Sequence, residues 1–236
     1  MSSDIGFSLD KINEMEPQEA FKALLSIVST SNNINKKAKA IDFLIKTQYN
    51  DNFQEIKKIY EKESHSEVKI KLIRLFTEKY KKKCISLLKN QYTHEKDWKV
   101  RKTIVEAIGK LDKHNSASFL IDGLGDSNID VKKSAIFSLE GVTDALESLI
   151  EVLKFRNLDF YDILINTIVK TSKNVDIQRI LNYLYDDNLN IKKNIPILLE
   201  KLENKEAVDP LIELLDDKNS MVRINSIKAL EKIIPS

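Results

Sequence analysis

The chain has 236 residues, 42% hydrophobic and 31% charged, with a formal net charge of +2. That balance excludes a wholly disordered chain, and no apolar run reaches the roughly 20 residues that a membrane-spanning helix needs. Five glycines and four prolines are too few for a turn-rich β fold, which points to helices.

The first residues, Met1 to Ser8, lack the basic-then-apolar pattern of a secretory leader. The single Cys84 has no internal disulfide partner, so a soluble cytoplasmic protein is expected. Charge is unevenly spread. Between Lys36 and Lys110 there are 20 Lys/Arg against 10 Asp/Glu, and from Leu111 onward 16 against 21. Such an asymmetry between halves bears on partners.

Taken in chain order, Phe7, Leu9, Ile12 and Met15 form a short amphipathic piece, an N-terminal cap over residues 1–15. Glu16-Pro17 marks a helix start, because proline suits the first helical position. Phe21, Leu24, Leu25 and Val28 follow at helical spacing. A polar break from Ser29 to Asn33 leads to a second helix carrying Ala38, Ala40, Phe43 and Leu44.

From there one apolar position recurs: Val68, Val100, Val131, Phe160, Ile191 and Val222, separated by 32, 31, 29, 31 and 31 residues. Four residues past each stand Leu72, Ile104, Ala135, Leu164, Ile195 and Ser226. Eight past stand Phe76, Ile108, Leu139, Ile168, Leu199 and Leu230. Offsets of zero, four and eight line one helix face, so each of these anchors opens the second helix of a helix pair.

First helices show matching pairs at Leu120/Ile121, Leu149/Ile150, Ile180/Leu181 and Leu211/Ile212, with Leu124, Leu153, Leu184 and Leu215 beyond them. Asp130, Asp159, Asn190, Ser66 and Ser220 are placed to cap the second helices. One helix pair cannot bury its apolar face, but stacked neighbours can. The expectation is an all-α, right-handed solenoid of about seven helix pairs spanning residues 1–236 as one elongated domain.

The stretch Asp216-Asp217-Lys218-Asn219-Ser220-Met221-Val222-Arg223-Ile224-Asn225-Ser226-Ile227-Lys228-Ala229-Leu230 resembles a HEAT repeat, in particular the short kind named from phycobilisome lyases. Asp97-Trp98-Lys99-Val100-Arg101 through Ile108 is similar, and the Val131 segment is similar with lysine in place of arginine. The pattern departs at Phe160-Tyr161, which lacks the basic residue, and at Pro196, which should kink its helix or shorten the hydrogen-bonded start.

The basic residue after each anchor, Lys69, Arg101, Lys132, Lys192 or Arg223, has two readings. The resemblance implies an ion-pair ladder with loop acids of adjacent repeats, here Asp97, Asp126, Asp187 and Asp217; arginine would pair bidentately, lysine as a point charge. Alternatively these residues, with Lys102, Lys133 and Lys193 beside them, form a basic stripe on a concave face that grips an acidic partner.

The run Lys79-Tyr80-Lys81-Lys82-Lys83, with Lys89, Tyr92, Lys96, Trp98 and Lys99, combines charge with aromatics as nucleic-acid binders do, or else is a solvated turn beside core aromatics. In the fifth repeat, Lys154 to Tyr161, the aromatics either form an apolar pocket for a peptide or pack, with Phe160 replacing valine. The exposure of Tyr161 discriminates between them.

Catalytic signals are weak. His65, His94 and His114 fall in expected turns, and His94-Glu95-Lys96-Asp97-Trp98 lacks the second histidine of a zinc-protease helix. Repeat-built di-iron hydroxylases use several His-Glu pairs, and one is present here. Cys84 lies on an amphipathic helix and reads as a buried thiol. Gly123-Leu124-Gly125 lacks the strand and lysine of a phosphate loop.

The expected function is a non-catalytic scaffold or adaptor without cofactor or metal. It would hold a protein partner through Arg101, Lys102, Lys132, Lys133, Tyr161, Lys192, Lys193 and Arg223. Two alternatives stay open, a nucleic-acid binder using the basic half and a bilin lyase-like chaperone or enzyme subunit. No membrane is involved, and the apolar final helix implies a homodimer through an end repeat.

Overall fold

The computed structural model describes residues 12, 14–47, 52–155, 159–173 and 175–234. Helices come in pairs: α1 (Pro17–Thr30) with α2 (Ile34–Lys46), α3 (Phe53–Lys62) with α4 (Ser66–Leu75), and α5 (Ile85–His94) with α6 (Trp98–Asp112). Then follow α7 (Ala117–Asp122) with α8 (Ile129–Ser138), α9 (Leu146–Glu151) with α10 (Tyr161–Ser172), α11 (Gln178–Leu181) with α12 (Leu189–Leu202), and α13 (Val208–Glu213) with α14 (Ser220–Ile233). The chain divides into two compact units, Met1–Asp112 and Lys113–Ser236. Within the first, α2 packs on α4 and α4 on α6; within the second, α8 packs on α10, α10 on α12 and α12 on α14. Each unit is thus a stack of similar helix pairs, an all-α solenoid arrangement.

The anchor positions explain the stacking. Val68, Val100, Val131, Phe160, Ile191 and Val222 are all buried, as are the residues four further on in every repeat. Those eight further on are buried as well, except the half-exposed Leu230. Pro17 occupies the start of α1, and Phe21, Leu24, Leu25 and Val28 are buried. In the first pair the register continues through Ala40 and Leu44, both buried. Of the N-terminal cap, Ile12 is buried and Met15 half-buried; Phe7 and Leu9 lie outside the described residues.

Helix capping differs from the expected pattern. Asn128, Asn188 and Asn219, each just ahead of its helix, accept the free N–H groups: Asp130 N at 2.8 Å, Asn190 N at 2.9 Å and Met221 N at 2.9 Å. Asp130, Asn190, Ser66 and Ser220 are already helical, so their own N–H groups need capping, and a cap must stand before the first turn. Asp159 does not cap either: α10 begins after Phe160 with no side-chain cap. Pro196 is buried inside α12, which runs unbroken over Leu189–Leu202, so the helix start is not shortened.

The lysine run is a tight connection between α4 and α5. A π-helical turn over Phe76–Tyr80 passes into a 3-10 turn over Lys81–Cys84, with Lys81 at φ +50°. Tyr80 is buried in an edge-to-face cluster with Phe53 and Phe76, and Phe76 meets Tyr60 in the same manner.

Candidate functional site

The ladder exists, with Lys192–Asp217 as expected and other rungs on acids that the sequence reading did not name. Lys37 Nζ lies 2.6 Å from Glu63, Lys69 Nζ 2.7 Å from Glu95, and Lys192 Nζ 2.5 Å from Asp217. In each case the cation stands in the first turn of a second helix and the acid in the loop of the next pair. The acid is always the residue five before the anchor. Glu63, Glu95, Asp126, Asp186 and Asp217 hold that position, so Asp97 and Asp187 are not rungs. Asp97 instead accepts Lys99 N at 2.8 Å, and Asp187 is exposed.

Each loop acid also orders its own loop by accepting the N–H two residues on, as from His65, Asp97, Asn128, Asn188 and Asn219. Burial alone would push the Glu63 carboxyl up, but Lys37 and the N–H and ring of His65 hold it at about 2. For Asp217 the Lys192 hydrogen bond comes first, and its pKa falls.

Arginine at the same position also reaches its own loop. Arg101 Nη1 donates to the carbonyls of Glu95 and Lys96, and Arg223 Nη1 to those of Asp217 and Lys218. Both guanidinium groups therefore brace their own loops, and Arg101 lies in the first unit with Lys102, which pairs loosely with Glu106.

The second unit holds Lys132, Lys133, Tyr161, Lys192, Lys193 and Arg223. Its ladder is interrupted at the fifth repeat. The 3-10 turns ending the first helices deliver Asp126, Asp186 and Asp217 to the rung position in their loops, but Phe155 in this one. Phe155 is 58% exposed, with Lys154 Nζ 5.4 Å from its ring centre. The position in register with Lys132 thus carries no carboxylate, and among the described residues neither the Lys132 ammonium nor that of Lys133 makes a hydrogen bond or ion pair.

At the next rung Tyr161 replaces the cation. Its hydroxyl donates to Asn194 Oδ1 at 2.7 Å, and Asn194 Nδ2 donates to Asn190 O. Tyr161 is half-buried and Phe160 buried, so these two pack rather than wall a pocket, while burial raises the Tyr161 pKa. Phe155, within the aromatic stretch that the sequence reading weighed, is the exposed one, and counting five back from each anchor places it at the rung position. Lys193 offers its backbone carbonyl to Asn225, leaving its ammonium unpaired among the described residues. Arg156, Asn157 and Leu158 lie outside the described residues.

Elsewhere the lysines of the basic run are largely engaged. Lys79 donates to Thr47 O, Lys82 pairs with Asp112 at 2.9 Å, and Lys83 stands 5.3 Å over the Phe53 ring. Cys84 is buried, and burial pushes its thiol up to about 11. His94 ends α5 rather than lying in a turn. Among the described residues no cluster of three or more His, Cys, Asp or Glu is placed to hold a metal, and no helix is long and apolar enough to cross a membrane.

Stacked helix pairs tied by loop acids define an α-helical repeat protein. The family model described as HEAT repeats matches residues 53–140 and 177–235, more than half of the sequence, and the chain belongs to the HEAT-repeat family. The match does not extend to the phycobilisome-lyase kind.

Among solved structures, human deoxyhypusine hydroxylase in complex with glycerol is 14% identical, with 94% of this chain and 88% of that one covered and a TM-score of 0.47. An engineered protein is 16% identical over 90% of this chain and 96% of its own, with a TM-score of 0.33. A designed armadillo repeat protein in complex with the peptide (KR)4 is 17% identical over 95% and 97%, with a TM-score of 0.30. No curated protein matches the chain.

Proposed function

We propose that this chain is a non-catalytic scaffold that holds an acidic protein partner against the starts of its second helices. The observation that carries this reading is the missing rung at Phe155. Lys37, Lys69 and Lys192 are neutralised by their loop acids, whereas the position in register with Lys132 is held by the exposed Phe155 instead of an acid. Together with Lys133 this leaves two cations and an apolar contact available to one partner segment. A free, buried thiol at Cys84 is in keeping with a cytoplasmic setting. A second copy of the chain is a further partner, taken up through the last repeat.

Affinity capture from the native cytosol, with the wild-type chain beside Lys132→Glu/Lys133→Glu and Phe155→Ala, tests the scaffold. A partner held by the wild type and by the exposed-surface control Lys173→Glu, and lost from the other variants, is the expected result. Equal capture by all of them overturns the reading. Salt-sensitive retention on DNA or RNA that depends on Lys81, Lys82 and Lys83 would replace it with nucleic-acid binding.

A further inference from the structure

The last helix pair exposes positions that earlier pairs of its unit cover, apart from the half-exposed Ile121 on α7. Five residues after the anchor, Ile136 is 0% and Ile165 2% exposed and Pro196 is buried, whereas Ile227 on α14 is 46% exposed. On the first helices, ten before the anchor, Ile150 and Leu181 are buried and Ile212 is 48% exposed. Leu139, Ile168 and Leu199 are fully buried, and Leu230 at the same position is half-exposed. In the inner repeats a following helix pair of the same design covers this face, as α12 is covered by α14. The uncovered face of α13 and α14 is therefore shaped for another such pair.

Its charges favour a particular occupant. Ile227 stands midway between Arg223, four residues before it, and Glu231, four after. A two-fold, antiparallel apposition of two α14 helices centred on Ile227 sets Arg223 of each copy against Glu231 of the other. It also closes the apolar strip of Ile227, Leu230 and Ile212 on itself. An isologous contact needs this kind of self-complementarity.

We infer that α13 and α14 form the self-association surface of this protein, with a second copy of the chain joined about a two-fold axis at Ile227. The inference rests on the reading that the chain takes a second copy as partner, and assigns it a surface separate from the one proposed for the acidic partner.

Sedimentation velocity on the full chain at micromolar concentrations tests it. The wild type is expected to sediment as a dimer and Ile227→Lys as a monomer of unchanged helicity and melting temperature, since the residue is exposed in the protomer. Glu231→Arg should weaken the dimer by about tenfold or more, and adding Arg223→Glu should restore it. A wild-type monomer overturns self-association altogether. A dimer that survives Ile227→Lys uses another surface and overturns this assignment alone. Failure of the double charge exchange to restore association overturns the antiparallel register.

Discussion

The side-chain amide of Asn225 on α14 donates a 2.7 Å hydrogen bond to the backbone carbonyl of Lys193 on α12, one repeat back. Pro196, three residues beyond Lys193, has no N–H to give to the carbonyl of Lys192, and its ring crowds that turn. A donor from the next repeat thus serves a stretch of backbone where helix bonding is weakened. Asn225 is buried, so replacing it by leucine removes the bond without returning the carbonyl to water. Asn225→Leu is expected to lower unfolding stability by about 1–2 kcal/mol, measured by urea denaturation.

The Lys37–Glu63 rung gives the stability a pH dependence. The Glu63 carboxyl falls from an ordinary 4.5 to about 2 in the folded chain. A depressed carboxyl contributes stability in full above its unfolded pKa and loses it as pH falls through the folded value. The loss therefore lies between about 4.5 and about 2. Glu63→Gln should lose about 2 kcal/mol at neutral pH and show a flatter melting-temperature profile across that acid window.

Two buried hydroxyls have no hydrogen-bond partner among the described residues, Tyr60 Oη and Ser226 Oγ. Both positions are fully buried. Removing an unsatisfied hydroxyl removes a desolvation penalty while leaving the packing of the ring, or of a methyl group, in place. Tyr60→Phe and Ser226→Ala should each raise unfolding stability by about 1 kcal/mol, visible as a higher urea midpoint at an unchanged slope.

Glu203 ends α12 in the left-handed region at φ +50° and ψ +35°. Its pair with Lys232 spans 3.4 Å between two largely exposed side chains and contributes little. Glycine takes this backbone conformation without the clash of a Cβ. Glu203→Gly is expected to raise stability by about 0.5–1 kcal/mol in thermal unfolding, whereas Glu203→Val should lower it.

Helical pairing was legible from the anchors because burial on a helix repeats at fixed offsets, and Val68 through Val222 are buried as that rule requires. Polar contacts were less legible. Asp97 and Glu95 stand two residues apart in one loop, and spacing alone does not say which turns inward to meet Lys69. Loop geometry decides it, because Asp97 is used by the N–H of Lys99. The caps were misplaced for the same reason: Asn128 and Asp130 are both good capping residues, and only the helix start separates them. The aromatics of Lys154 to Tyr161 stood out in the sequence, but that Phe155 takes the place of a rung acid did not, because the acid's position five before the anchor is set by loop geometry.

Where a lysine spans from one repeat to the loop of the next, as Lys192 does to Asp217, it acts as a fastener against twisting. The joint between the fourth and fifth repeats has Phe155 where the receiving acid would be. The ties at that joint lie at its other end instead, where Lys170 pairs with Glu140 at 3.0 Å and the N–H of Gly141 donates to Thr171 Oγ1 at 3.0 Å, so the two repeats are pinned away from the loop that carries Phe155.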